Sequence, residues 1–394
     1  MTVAQDESSR ARQPFRAEGL LRHVRIGRLQ LESGHTLPDV EMAYETWGQL
    51  APDGSNAVLV QHALTGDTHV ARGRAGEDAS AFDRVSAEAP GWWEGLIGPG
   101  RAIDTDRFYV VAINMLGGCY GSTGPSSTIP DGHQHAGLPW GSDFPAVTIR
   151  DSVAAEALVA DALGIERWRL VIGGSMGGAR ALEWAVTLPE RVAGCAVIAA
   201  TAVASAEQLA WGQAQNLAIR LDPEFRGGDY YDGVIPSAGL GLARRIAHTT
   251  YRAAPDLNRR FGHEPQEGED PLPPRPGHRR GRYAIESYLD HQAAKLVGRF
   301  DANSYLTLNE ALMGHDIGRG RGGIVQALAE TGCDWLVCSV DSDRLYLPEE
   351  SEALCRALPG DVEHLSIRSG AGHDGFLIEH EQIGRMVART VLAD

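Results

Sequence analysis

Arg169-Leu-Val-Ile-Gly-Gly-Ser-Met-Gly-Gly-Ala-Arg-Ala-Leu-Glu-Trp184 is the stretch that decides how this chain folds. An apolar run, Arg169–Ile172, reads as a strand. It ends in Gly173-Gly174-Ser175-Met176-Gly177, and Met176–Thr187 reads as a helix. A G-x-S-x-G string between a strand and a helix is the signature of a nucleophilic serine on a very tight turn. So sharp a turn forces Ser175 into a strained backbone conformation. Side chains two residues to either side would collide with the neighbouring strand and helix, and Gly173 and Gly177 remove that collision. The Ser175 hydroxyl then projects above the sheet edge, at the positive end of the following helix. A structural serine in a Gly-rich turn would give the same string; the flanking strand and helix favour the nucleophile.

Moving outward, Ala57–Gln61, Phe108–Ile113, Cys195–Ala199, Asp334–Ser339 and Val362–Ile367 also read as strands. Several are continuous apolar runs, the pattern of strands covered on both faces. Asp151–Leu163 and Glu349–Leu358 read as helices between them. Such alternation predicts an α/β fold with a mostly parallel central sheet flanked by helices. Residues 201–323 break the rhythm, with helical segments such as Ala206–Leu221 and Ala284–Phe300 and no convincing strand. They are expected to form a helical cap inserted into a core of residues 17–200 and 324–394. Residues 262–282, rich in Pro, Gly and charge, are expected to be a mobile loop of that cap, and residues 1–16 a disordered leader.

In a fold with this elbow, the partners of the serine come in the order acid, then histidine. Asp341 and Asp343 both lie just after the strand Asp334–Ser339, and either is locally suited to orient a base. His373 lies in the Gly-rich loop Ser369-Gly-Ala-Gly-His-Asp-Gly375 after the last strand, where the base belongs. Residue types, order and placement together point to the α/β-hydrolase fold. An oxyanion hole needs two backbone N–H groups. Met176, next to the nucleophile, supplies one, and Leu64 in Gln61-His-Ala-Leu-Thr-Gly66 is chosen for the other. His62 is read as shaping that loop.

Composition narrows the function. The chain has 394 residues, 43% of them hydrophobic, enough for one large α/β domain and a smaller appended unit. A net charge of −16 argues against a nucleic-acid partner, which needs a positive face. No run of eighteen apolar residues predicts a membrane span, and no apolar signal region opens the chain, so a cytoplasmic enzyme is expected. The five cysteines carry no metal-binding spacing, so no metal site is expected. Cys333 and Cys338, five residues apart across one strand, should face opposite ways and stay unpaired.

Taken together, several strings resemble the homoserine O-acetyltransferase family of the α/β-hydrolase superfamily, in its actinobacterial form. They are Gln61-His-Ala-Leu-Thr-Gly66, Asn114-Met-Leu-Gly-Gly-Cys-Tyr-Gly-Ser-Thr-Gly-Pro-Ser-Ser127, Asp143-Phe-Pro145, Gly173-Gly-Ser-Met-Gly-Gly178, Gly227-Gly-Asp-Tyr230, Gly239-Leu-Gly-Leu-Ala-Arg-Arg245, Ser287-Tyr-Leu-Asp-His291 and Gly372-His-Asp-Gly-Phe376. The resemblance runs from about Gly19 to the C-terminus. It implies a triad of Ser175, Asp343 (in preference to Asp341) and His373. It also implies that Arg244 and Asp374 read the amino-acid substrate, with Arg245 a competing candidate for the first role. A guanidinium suits the carboxylate of homoserine and a carboxylate suits its ammonium. Succinyl-using relatives carry an Arg two residues after the triad Asp. Leu345 stands there in this chain, so acetyl-CoA is the expected donor and co-substrate, with no permanently bound cofactor. The family implies a homodimer through the cap helices. The segment Gly117–Ser127 reads as a cradle for coenzyme A phosphates or, better, as a wall of the acyl pocket against the elbow; Cys119 within it reads as a small buried thiol. The expected reaction is ping-pong acetyl transfer to L-homoserine, within methionine biosynthesis. Rival readings are another acceptor (L-serine or a deacetylated antibiotic alcohol), succinyl-CoA as donor, a serine ester hydrolase, or a non-catalytic binding module.

Overall fold

The computed structural model describes residues 17–76, 79–272 and 280–392. The expected leader, residues 1–16, lies outside the described residues. Among the described residues eight strands form one sheet: β1 (Arg22–Gln30), β2 (Thr36–Trp47), β3 (Ala57–Gln61), β4 (Tyr109–Ile113), β5 (Leu170–Gly174), β6 (Gly194–Ile198), β7 (Asp334–Val340) and β8 (His364–Ile367). Their order is β1-β2-β4-β3-β5-β6-β7-β8. From β4 to β8 every neighbouring pair is parallel; β2 runs antiparallel to both β1 and β4.

The continuous apolar runs become the centre of this sheet, and every residue of β3, β4, β5 and β6 is buried. Successive side chains of a strand point to opposite faces. Val171 accordingly joins the core on one side, with Leu182 and Trp184, while Leu170 and Ile172 join the core on the other, with Val387 and Val391. The helices α1 (Ile149–Ala162), α2 (Met176–Thr187), α8 (Pro348–Ala357) and α9 (His380–Thr390) pack around this core. The expected strands and helices are present, with no end moved by more than three residues. The sheet adds β1 and β2, which the apolar runs do not announce. β1 is the edge strand and β2 lies next to it; both mix polar and apolar residues, and β1 is broken by register shifts around Gly27. A half-exposed strand such as β1 carries half the apolar signal of a covered one.

Between β6 and β7 the chain forms α3 (Ala206–Arg220), α4 (Ser237–Tyr251), α5 (Ala254–Phe261), α6 (Ala284–Val297) and α7 (Ala302–Met313), with no strand of the sheet among the described residues. This helical insertion has its own core, in which Ile219, Leu240, Leu296 and Tyr305 pack together with Leu64 and Met176 of the sheet domain. Gly239 lets α4 lie against α3: a Cβ there would stand 2.5 Å from the Ala218 carbonyl. The two ends of the insertion are stitched to each other. Ala204 N–H donates to the His315 carbonyl (3.0 Å), Ile317 N–H donates to the Ala202 carbonyl (3.1 Å), and Val203 pairs with Asp316 as a bridge. Of the expected loop 262–282, residues 273–279 lie outside the described residues. Its stem is closed by Gln266 N–H to the Arg282 carbonyl (2.8 Å) and by the Arg282–Glu269 ion pair.

Because β3 to β8 are parallel, their C-terminal ends share one edge of the sheet. The segments leaving β3, β5, β7 and β8 are the ones that carry Leu64, Ser175, Asp343 and His373, so the topology alone gathers them.

Candidate active site

Ser175 holds φ 58° and ψ −126°, the strained conformation expected of a nucleophile turn. The glycines act as the sequence suggests. A Cβ on Gly173 would lie 2.3 Å from the Gly177 backbone, and one on Gly177 would lie 2.1 Å from the Gln61 carbonyl oxygen of β3. The turn can therefore be this tight only with glycine at both positions. The Met176 N–H, at the first position of α2, has no intrahelical acceptor. Neither it nor the Leu64 N–H donates to a backbone acceptor among the described residues, so both amides are free to serve an oxyanion.

His373 and Asp343 meet as a buried pair. The His373 Nδ1–H donates to Asp343 Oδ2 at 2.6 Å. Asp343 Oδ1 accepts from the Leu345 and Tyr346 amides at 2.8 and 3.0 Å, which fixes the carboxylate plane. Asp341 instead accepts the Ser369 amide (3.0 Å), a turn contact that leaves it unconnected to the imidazole. Burial by itself pushes the His373 imidazole down. The Asp343 charge, its hydrogen bond and the Asp374 charge outweigh it and hold the group above the ordinary histidine range. The ring is held by Tyr346, stacked at 5.1 Å, and by edge contact with Phe376 at 5.3 Å. His373 Nε2, the atom that faces the chemistry in such a pair, is buried and has no hydrogen-bond partner. The Tyr346 phenol lies beside the Ser175 hydroxyl.

Two cavities meet at Ser175, Leu64 and Tyr251. The smaller, about 50 Å³, is lined by Trp211, Gln215, Asn309, Met313 and Leu345 among others, and by no charged side chain. Arg344, exposed, lines neither cavity. The larger, about 320 Å³, is lined by Arg244, His248, His373 and Asp374, with Trp92 and Arg299. Arg244 lies over the Tyr251 ring at 5.7 Å and its Nε is unpartnered, whereas Arg245 points the other way and bonds Asp290 at 2.8 Å. Of the two candidate arginines, Arg244 is the one at the cavity. Burial raises the Asp374 carboxyl above its ordinary range, against the opposing charges of His373, Arg252 and Arg244; Arg252 Nη1 lies 3.4 Å from it.

His62 is buried. Its Nε2 accepts the Met115 amide (3.0 Å) and its Nδ1 donates to the Ala63 carbonyl (2.8 Å). Burial and the nearby Arg180 charge push it down to about 3, so it is a neutral brace for the loop. Gly117–Ser127 does not form a wall of either cavity, contrary to expectation. It folds on itself, bonds β2 through Thr123 N–H to the Glu41 carbonyl (2.8 Å), and meets Thr307 of α7 at Gly117. Its glycines permit close approach within the loop: a Cβ on Gly124 would lie 2.4 Å from the Gly118 carbonyl oxygen. Burial pushes the Cys119 thiol up to about 12, which makes it inert, and all five cysteines are free. Among the described residues no group of three His, Cys, Asp or Glu side chains could hold a metal, and no helix is long and apolar enough to cross a membrane.

The sheet order, the strained serine and the His–Asp pair define the alpha/beta hydrolase fold, and the profile of that family matches residues 56–379. Homoserine O-acetyltransferase of Thermobifida fusca is 53% identical over 361 residues, covering 91% of this chain and 90% of the relative. The crystal structure of homoserine O-acetyltransferase from Bacillus anthracis superimposes with a TM-score of 0.83 at 25% identity, covering 94% of this chain and 98% of that one. Esterase E22 superimposes with a TM-score of 0.80 at 27% identity, covering 93% and 99%. The chain belongs to the homoserine O-acetyltransferase family of the α/β-hydrolase superfamily, and it is an enzyme, an acyltransferase.

Sequence reasoning did not find Tyr251, His248, Trp92, Arg299 or Tyr346, which line the cavities. For two of them a signal existed: His248 and Tyr251 lie four and seven residues beyond Arg244, one face of a helix once α4 is recognised.

Proposed function

We propose that this enzyme transfers the acetyl group of acetyl-CoA to the side-chain hydroxyl of L-homoserine by way of an acetyl-Ser175. His373 Nε2 takes the Ser175 proton, and Oγ attacks the thioester carbonyl carbon. The Leu64 and Met176 amides hold the oxyanion. The carbon–sulfur bond breaks, and coenzyme A leaves with the proton from His373. Homoserine then enters. His373 takes its hydroxyl proton, the oxygen attacks the acetyl carbon, and the bond to Ser175 breaks as its oxygen recovers the proton. Asp343 keeps the imidazole in the required tautomer and stabilises its charged form. Arg244 receives the carboxylate of homoserine and Asp374 its ammonium. The insertion acts as a cap that limits the access of water to the acyl-enzyme.

The observation that carries this reading is the pairing at Ser175 of a small uncharged cavity with a larger one bearing Arg244 and Asp374. A neutral acyl group fits the first; a succinyl carboxylate would find no cation there. The second offers a zwitterion opposite charges. The apolar side chains Leu209 and Leu217 are exposed on α3, Leu221 is exposed just beyond its end, and Val234, Ile235 and Leu242 are exposed nearby in sequence. They support a homodimer through the insertion.

The test is thiol release from acetyl-CoA with and without L-homoserine, with S175A as control. Rapid homoserine-dependent release, lost in S175A, supports the reading; slow release indifferent to homoserine refutes it. The similarity to esterase E22 favours ester hydrolysis as the second reading. Arg244→Ala separates the two, since a hydrolase needs no carboxylate clamp and should stay active.

A further inference from the structure

On α4 the side chains of Arg244, His248 and Tyr251 stand at i, i+4 and i+7, and all three line the larger cavity beside His373 and Asp374. His248 is only 6% exposed. Its ring is packed by Tyr251 and Tyr288, at centroid distances of 5.7 and 5.9 Å, so packing accounts for its carbon atoms. Packing does not account for its nitrogens. Nδ1 lies 3.4 Å from the Tyr288 hydroxyl, while Nε2 is buried with no partner at all. Buried polar atoms are nearly always satisfied, and the exceptions gather where a ligand supplies the missing contact. Here the other unpartnered atoms at this cavity are Arg244 Nε and His373 Nε2, both of which the proposed reaction uses.

The environment sets the sign of the missing partner. Burial, and then the charges of Arg244, Arg252 and Lys295, push the imidazole down to about 3, so it is neutral at any working pH. We assign the Tyr288 O–H as the donor to Nδ1, which leaves the single ring hydrogen on Nε2. A neutral N–H donor among three cations suits an anionic oxygen and disfavours an ammonium. We infer that His248 is a second recognition residue for the α-carboxylate of the amino-acid acceptor, its Nε2–H donating to one oxygen while Arg244 pairs with the other. This rests on the acceptor reading above and adds a discriminating contact: the site selects hydroxy-amino acids over amino alcohols that lack the carboxylate.

The experiment compares L-homoserine with 3-aminopropan-1-ol, the same acceptor without its carboxylate, in the wild-type enzyme, H248F and H248Q. The readout is the ratio of kcat/KM for the two acceptors. In H248F the ratio should fall about tenfold, the usual scale for a hydrogen bond to a charged group, mainly through a higher KM for homoserine. H248Q, which keeps an N–H donor, should recover part of it. A residue that merely props up α4 would depress both acceptors alike and leave the ratio at the wild-type value. That result, in H248F or, if it folds poorly, in H248Q, overturns the inference while the acceptor reading stands. A wild-type enzyme indifferent to L-homoserine overturns both.

Discussion

Beneath the nucleophile turn lies a buried ion pair whose removal can be costed. Arg180 of α2 and Glu156 of α1 are fully buried. Arg180 Nε bonds Glu156 Oε1 at 3.0 Å, and the other carboxylate oxygen accepts from Gln61 (2.6 Å) and Trp184 (2.7 Å). The guanidinium also donates to the Ile113 carbonyl at 3.2 Å and the His62 carbonyl at 3.4 Å, at the ends of β4 and β3. Replacing Arg180 by Met fills much of the space but strands the carboxylate. Breaking such a pair from one side costs about 3–5 kcal/mol. R180M/E156Q removes the buried charge as well, so the double variant should be less damaged than the two single losses added together. The assay is guanidinium unfolding of the parent, both single variants and the double variant, with midpoints compared at equal slope. Because the His62 carbonyl begins the loop that presents Leu64, R180M should also lower kcat more than it alters the KM for acetyl-CoA. An R180M unfolding free energy within about 1 kcal/mol of the parent, or simple additivity in the cycle, would refute the claim that this pair braces the site.

Three further outcomes are expected. His373 must be neutral to take a proton and is held above the ordinary histidine range, so kcat/KM should fall as pH drops through that raised value. D343N removes the larger upward influences and leaves only the Asp374 charge against burial, so the acid limb should move lower while kcat falls about 10⁴-fold through the lost tautomer; an unmoved limb in the pH profile would count against the assignment. L345R places a cation in the uncharged cavity, and the kcat/KM ratio of succinyl-CoA to acetyl-CoA should rise by at least about tenfold, one well-placed charged hydrogen bond. Leu217→Glu combined with Leu221→Glu should yield a monomer by light scattering if α3 carries the dimer contact.

Much of the fold and the site was legible from the sequence because the parallel sheet converts strand order into site geometry. Once Arg169–Trp184 is read as strand, turn and helix, Asp343 and His373 are found in the segments leaving the later strands. Asp341 and Asp343 could not be separated by position, since both come directly after β7. What separates them is that Asp341 is consumed by the Ser369 amide. Arg244 and Arg245 pose the same problem on a helix, where one residue of sequence is a rotation of about 100°. The edge strand β1 and its neighbour β2 stayed hidden because polar residues interrupt their apolar ones, a pattern that resembles loop composition. Gly117–Ser127 misled for another reason. Its glycines serve the loop's own folding, and a Gly-rich string does not say whether the close approach it permits is to a ligand or to itself.

The stitched stem of the insertion has a consequence for how the molecule comes apart. Holding Val203 against Asp316 fixes both ends of a long excursion at one point, so the entropy of closing that loop is met by the stem rather than by the helices beyond it. Helices α3 to α7 can then open as a unit while the strand register stays intact. In rising denaturant the amides of α4 should exchange before those of β5. The proposed recognition of homoserine by α4 should fade while Ser175 still reacts with a fluorophosphonate. The protein would pass through a state that keeps its nucleophile and has lost its choice of acceptor.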